Sequence, residues 1–318
     1  MRILVTGGSG FIGTNLISLL SDGHEVLNLD LCEPKIQEQK ANWVQCDLLD
    51  FKGVKRVVAD FLPEWVIHLA ARTDLDETRD LEAYAVNFRG TEHLCEALDS
   101  VQSVVRVLFF SSMYVCMPGY MPVSDEDFRP HTLYGLSKQR MEELLRSRSH
   151  QYDWAIIRPT SIWGPYFSEP YAAFFNVVKR GHYMHPGERS CWKTYGYIGN
   201  LVYQIECLLH APQVLKGQLY YAGDYEAYHI GEWADEIAAS LGKKNPKVPF
   251  WIFKCAGWFG DVLKVFGIKF PMTSFRLKNM TTNNVLSTEK LKQIAPVLPF
   301  SRKQGVELTI AWIKECNL

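Results

Sequence analysis

Thr6-Gly7-Gly8-Ser9-Gly10-Phe11-Ile12-Gly13 follows the apolar run Ile3-Leu4-Val5 and opens a helical pattern that continues to about residue 21. The order is strand, glycine turn, helix. Gly7, Gly10 and Gly13 suit a tight turn, a close approach of backbone to a pyrophosphate, and close packing of helix on strand. The first amides of the helix, from Phe11 and Ile12 onward, then face the phosphates. A glycine-rich turn by itself reads equally well as ordinary loop chemistry. Here a second strand, Glu25-Val26-Leu27-Asn28-Leu29-Asp30, ends in a carboxylate seventeen residues after Gly13. At that place Asp30 can accept hydrogen bonds from an adenosine ribose and repel a 2′-phosphate, which favours NAD over NADP.

The rest of the chain fits around such a site. Its 318 residues, 47% of them hydrophobic, are enough for a large core and for one domain with a smaller lobe. The net charge is −1 and charges of both signs are scattered, so no nucleic-acid partner is expected. Eight cysteines stand without close pairs, which argues for buried, reduced thiols and against a zinc knot or a disulfide scaffold; no metal is expected. No uninterrupted apolar run reaches the ~18 residues of a membrane span. The N-terminus enters a strand directly, without a signal peptide, so a cytoplasmic location is expected.

In order, Asn42-Trp43-Val44-Gln45-Cys46 reads as a third strand that ends at Asp47-Leu48, beside the adenine. Trp65-Val66-Ile67-His68-Leu69-Ala70-Ala71 reads as a buried parallel strand whose small Ala70-Ala71 end lets a dinucleotide pass close to the backbone. His68, inside that apolar strand, reads as a core histidine and not as a catalyst. A helix is predicted over 79–99, containing Asn87, Gly90 and Thr91, and a fifth strand over 104–110. Alternating strands and helices predict an α/β fold of the Rossmann type, a doubly wound parallel sheet.

The fifth strand ends at Ser111-Ser112, and Tyr134-Gly135-Leu136-Ser137-Lys138 heads a later helix. Tyr134 and Lys138, four apart, share one helical face. A phenol is a poor base at neutral pH, but a nearby ammonium and a cationic nicotinamide ring favour its phenolate. Ser112 can hydrogen-bond the same substrate oxygen. Taken alone, a Tyr-x-x-x-Lys pair is usually a solvated helix face; behind a dinucleotide fold and a strand-end serine it reads as a catalytic set.

These stretches resemble the extended short-chain dehydrogenase/reductase family, in particular its NAD-dependent epimerase/dehydratase group that works on nucleotide sugars. The resemblance rests on the glycine turn at 6–13, Asp30, Asp47-Leu48, His68 to Ala71, Asn87 to Thr91, Ser111-Ser112, the 134–138 motif and Arg158-Pro159-Thr160-Ser161-Ile162-Trp163-Gly164-Pro165. It implies that Ser112 and Tyr134 handle the substrate hydroxyl and that Lys138 holds the nicotinamide ribose. It implies further cofactor contacts from Ala70, Ala71, Asn87, Ser111 and Pro159, and substrate contacts from Thr73, Ser161 and Lys193. Arg276 is a candidate phosphate clamp on the strength of its guanidinium fork. The resemblance also implies a homodimer built through the helices at about 79–99 and 134–149.

Three departures bear on the chemistry. Val115-Cys116-Met117 replaces the Val-Tyr-Gly of many relatives, and Ser161 and Lys193 stand where relatives often have Asn and Arg. Met113 and Tyr114 occupy the place where sugar dehydratases carry an Asp-Glu pair, so water elimination is not expected. Residues 1–165, with a returning segment at about 196–230, are expected to form the NAD-binding part, and 166–318 mainly a substrate lobe. Within that lobe Pro249 to Phe270, rich in Trp and Phe at mixed 3 and 4 spacings, predicts a helix pair packed over the substrate cleft in preference to a membrane-surface helix.

The function expected is an NAD-dependent nucleotide-sugar epimerase of the 4-epimerase type, passing through a 4-keto sugar. The alternative is an oxidoreductase with the same Ser-Tyr-Lys set, either a nucleotide 4-keto-sugar reductase or a 3β-hydroxysteroid-type dehydrogenase. A non-catalytic NAD sensor has no need of Ser112, Tyr134 and Lys138 together.

Overall fold

The computed structural model describes residues 1–167, 172–189, 191–212, 215–267, 270 and 272–316. Five strands fall where the apolar runs predict them: β1 (Arg2–Thr6), β2 (Glu25–Asp30), β3 (Trp43–Gln45), β4 (Trp65–His68) and β5 (Arg106–Phe110); a sixth, β6 (Asp153–Pro159), leads into the 158–165 motif. Four short strands follow: β7 (Ser161–Trp163), β8 (His185–Pro186), β9 (Trp192–Lys193) and β10 (Tyr195–Tyr197). β11 (Gln218–Ala222) then joins the edge of the main sheet beside β6. That sheet has seven parallel strands in the order β11-β6-β5-β4-β1-β2-β3. The fold is therefore Rossmann-like and α/β. Ile3, Leu4, Val5, Val66, Ile67, Val107 and Leu108 are wholly buried, as strands covered on both faces require.

Helices cover the two faces because each presents an apolar stripe to the sheet. On one side lie α1 (Phe11–Leu20) and, later in the chain, the long helix over 198–210, through Leu16, Ile17, Leu20, Leu201 and Ile205. On the other lie α2 (Phe51–Phe61), α3 (Thr91–Asp99) and α4 (Leu133–Ser147), through Val54, Val58, Leu94, Leu98, Met141 and Leu145. The helix predicted over 79–99 is broken. A 3-10 turn at Leu81–Tyr84 and a π turn at Val86–Gly90 precede α3. The wide π turn carries Asn87 inward, where its side chain binds the backbone of Arg72, and a π bulge at such a place is a common functional device.

The C-terminal part adds α5 (Ala173–Lys179), α6 (Ile198–His210), α7 (Ile230–Ser240), α8 (Phe250–Val265) and α9 (Ser274–Thr281). Its core is aromatic, with the Trp163 ring 5.5 Å from Phe175, 5.1 Å from Tyr197 and 5.3 Å from Trp233. Asn200, at the start of α6, donates to Asp224 just past β11 and to the carbonyl of Phe300, each at 2.9 Å. The Pro249 to Phe270 stretch differs from its expectation. Its described residues form one helix, α8, over Phe250–Val265, whose packing partner is α9, and Trp251 and Trp258 point to solvent. Among the described residues no helix is long and apolar enough to cross a membrane.

Candidate active site

A cleft of about 1630 Å³ opens outside the carboxyl ends of the strands, where the strand order reverses between β1 and β4. Gly7, Gly10, Phe11, Ile12, Gly13, Asp30, Asp47, Leu48, Ala70, Ala71 and Pro159 all line it. Gly7 has φ +74°, and a Cβ there would lie 2.5 Å from the Ala70 backbone nitrogen. The turn after β1 thus presses on the end of β4, which only glycine permits. A Cβ on Gly13 would lie 2.5 Å from the Gly8 Cα, so the helix start packs directly on the turn. No side chain caps α1 at Gly10, and an uncapped helix N-terminus at a cleft suits an anionic ligand. The Asp30 carboxylate accepts from the Ser9 amide at 3.0 Å and the Cys32 amide at 2.9 Å, which fixes its direction at the rim of the cleft. A cradle that a Cβ would fill, an uncapped helix start and a held carboxylate together fit a dinucleotide.

The opposite wall carries Ser112 and Tyr134, both buried and both on the cleft. Ser112 ends the loop after β5 and its Oγ accepts from the Tyr114 amide at 3.1 Å. Thr132 caps α4 by accepting from the Gly135 amide at 3.0 Å. A Cβ on Gly135 would fall 2.2 Å from the Tyr114 carbonyl oxygen, so the glycine after Tyr134 lets α4 press against the Ser112 loop. The Tyr134 ring sits between Tyr84 and Tyr114, each with its centroid 6.3 Å away. Asn87 lies behind the wall. It donates to Ser137 Oγ at 2.8 Å, and Ser137 in turn donates to the Tyr134 carbonyl at 2.7 Å.

Lys138, one turn after Tyr134 on α4, is wholly buried behind the cleft wall, and Nζ donates to the Phe110 carbonyl at 2.8 Å. Burial lowers its pKa to about 7, with the nearby Glu142 carboxylate pulling the other way. Glu142 itself accepts from Arg158 Nε and Nη2 at 2.8 and 2.7 Å, with both side chains fully buried. Ser111 gives its hydroxyl to the same carboxylate, which turns it away from the cleft. His68 sits in the core between the Thr6 and Thr91 hydroxyls at 2.7 and 2.9 Å, and burial pushes its pKa down to about 3. It is a neutral structural residue.

Thr73, Ser161, Lys193 and Arg276 reach the far half of the cleft. β7 pairs with β10, which sets Ser161 opposite Tyr195. Burial lowers the Lys193 pKa, opposed by the Cys191 thiol. Arg276 is an exposed residue in the first turn of α9. Tyr114 and Tyr195, to which the sequence assigned no binding role, also line the cleft. Sequence reasoning passed over the Glu142–Arg158 pair. The four-residue step from Lys138 to Glu142 was the available signal for that pair.

The comparisons agree with this geometry. Residues 3–223 match the model of the NAD dependent epimerase/dehydratase family. The N-acetyl-α-D-glucosaminyl-diphospho-ditrans,octacis-undecaprenol 4-epimerase of Escherichia coli O157:H7 is 27% identical over 98% of this chain and 95% of its own. A 3-beta-hydroxysteroid dehydrogenase of Mycolicibacterium neoaurum is 28% identical over 92% of this chain and 85% of its own. The UDP-glucose 4-epimerase of Thermus thermophilus, solved in complex with NAD, superposes with a TM-score of 0.74 at 25% identity and covers 99% of both chains. With the glycine cradle, the held Asp30 and a family match across most of its length, the chain belongs to the NAD-dependent epimerase/dehydratase family.

Proposed function

We propose that this protein is an NAD-dependent 4-epimerase of sugars carried on a diphosphate, with nucleotide sugars as the first class to test. The observation that carries the reading is the shared cleft, in which Ser112 and Tyr134 face the dinucleotide cradle from the wall that Lys138 supports. Full-length likeness to a 4-epimerase of a diphosphate-linked sugar supports it. NAD, when bound, supplies a reversible acceptor for the hydrogen on C4.

In this reading the chain's own residues handle the proton. Tyr134 takes it from the 4-hydroxyl as that oxygen becomes a carbonyl, and returns it after the ketone has turned over. Ser112 donates a hydrogen bond to the same oxygen and holds it near Tyr134. The Lys138 ammonium, one turn along α4, favours the phenolate form of Tyr134. Lys193 and Arg276, in the far half of the cleft, hold the diphosphate. Met113 and Tyr114 stand where a dehydratase needs its acid and base, which supports isomerisation over water loss. The likeness to a steroid dehydrogenase favours a second reading, an oxidoreductase with the same residues, which differs in consuming its cofactor.

Tyr134→Phe keeps the ring and its packing, so folding and NAD affinity should survive while turnover of UDP- and dTDP-hexoses falls ~10²- to 10⁴-fold. Retention of more than about a tenth of the activity would remove Tyr134 as the base. Asp30→Ala should weaken NAD binding by about 1.5 to 3 kcal/mol in calorimetry and leave NADP nearly unaffected. Equal losses for both cofactors would contradict the ribose assignment. Lys138→Met tests the buried ammonium through stability. A lysine held at about 7 when folded, against ~10.4 unfolded, binds fewer protons than the unfolded chain between those values, so wild-type stability gains with pH across that window. The burial penalty is complete below pH ~7 and absent above ~10.4. In NAD-free protein the melting-temperature difference, variant minus wild type, should therefore be largest near pH ~6 and shrink toward pH ~10. A difference that holds steady or grows would show that Lys138 is not held near neutrality.

A further inference from the structure

Helix α8 presents an unusual surface. At 3.6 residues per turn, Trp258, Trp251, Val262, Phe259 and Ile252, with the C-cap Phe266, fall within an arc of roughly 120°. Trp251 is 65% exposed, Trp258 69% and Phe266 74%. Cys255, the remaining residue on that arc, is exposed and uncharged. The opposite side of the helix is locked in place. A Cβ on Gly260 would fall 1.8 Å from the Met272 carbonyl oxygen, which only glycine permits, and one on Gly257 would fall a tight 3.2 Å from the Ser274 amide, so the segment entering α9 lies close against the helix. Phe253 is buried on the same side. The aromatic arc is thus held outward by packing behind it.

Charge identifies the occupant. Between residues 243 and 288 the sequence holds eight lysines and arginines and a single acid, Asp261, in a chain whose net charge is −1. The scattering of charge read from the whole sequence conceals this local surplus. Lys254 is exposed beside the arc, and Lys264 is exposed on the opposite side of the helix. An apolar aromatic face on a basic segment, with Lys254 at its edge, matches an anionic bilayer interface, where tryptophan rings and ammonium groups both have favourable places. A second copy of the chain seated on this face would bring two positive surpluses together, which disfavours it. The face also runs into the cleft. Ile252 is partly exposed on the arc and lines the cleft, together with its neighbours Phe253 and Ala256 and with Met272 and Met280.

We propose that α8 seats the enzyme on an anionic membrane surface and brings the mouth of the cleft to sugar diphosphates carried on a membrane lipid. The docking stands on the helix alone; the lipid-borne cargo rests on the sugar-diphosphate reading of the cleft.

Flotation with phosphatidylcholine vesicles, with and without phosphatidylglycerol, tests the docking. The wild type should float with the anionic vesicles and show a blue shift of tryptophan emission. Trp251→Glu/Trp258→Glu, which touches no residue of the cleft, should lose about tenfold or more in partitioning with melting and NAD binding unchanged. Trp258→Ser, a gentler change, should lose part of it. A wild type that stays in the soluble fraction, or variants that float as it does, would overturn the docking, as would dissociation of a stable dimer by these substitutions. The cargo is tested with a polyprenyl-diphosphate N-acetylhexosamine in the same vesicles. The double variant should turn it over about tenfold more slowly, yet match the wild type on a short-chain, water-soluble analogue. Turnover of UDP-hexoses but not of the vesicle-borne substrate would overturn the lipid carrier and leave the 4-epimerase reading standing. Vesicle binding with no turnover of any sugar diphosphate would overturn the 4-epimerase reading and leave the docking.

Discussion

The buried ion pair between Glu142 and Arg158 holds the reactive wall together. It fastens α4, which carries Tyr134 and Lys138, to β6, and Ser111 ties the end of β5 into the same carboxylate. Arg158 further donates to the Tyr221 hydroxyl at 2.9 Å and the Asp125 carbonyl at 2.7 Å, so most of its donors are met without water. Such a pair is weak evidence of stability, because desolvation offsets most of its attraction. Loss of either partner alone would leave a charge buried and unpaired, at about 3 to 5 kcal/mol. Its value lies in position. Glu142 also sits one turn beyond Lys138 and sustains the ammonium against burial, so the scaffold and the charge on Lys138 depend on the same carboxylate.

Much of the cofactor half was legible because its constraints are local. Gly7 and Gly13 are required by close backbone approach, and Asp30 by its place at a strand end, so both leave a mark in a single sequence. The parallel sheet followed from apolar runs in alternation with helices. The roles of Asn87 and Ser111 were legible only in part. The sequence marks them as members of a motif, while the structure turns one toward Arg72 and Ser137 and the other toward Glu142, and these partners lie far away along the chain. Tyr114 and Tyr195 received no binding role because an aromatic residue reads the same in sequence whether it fills a core or walls a cleft.

Helix α8 shows the same ambiguity from the other direction. A run of Trp and Phe at helical spacing does not say which face is covered, and burial in a cleft roof was the natural expectation. The structure covers one face with α9 and leaves the other to solvent, a division set by Gly257 and Gly260. Whole-chain charge was equally uninformative, since a net of −1 averages a basic segment with an acidic remainder. Both features matter for how a substrate arrives, and neither alters the chemistry expected at Ser112 and Tyr134.

The central claim is that the C4 hydrogen leaves the sugar and returns to the same carbon while Tyr134 carries only the proton. A sugar diphosphate deuterated at C4 tests this most directly. The account predicts that the epimeric product keeps the deuterium at C4, that none appears in the water, and that no reduced cofactor accumulates. Loss of the label to solvent, or one equivalent of reduced NAD for each ketone formed, would contradict it.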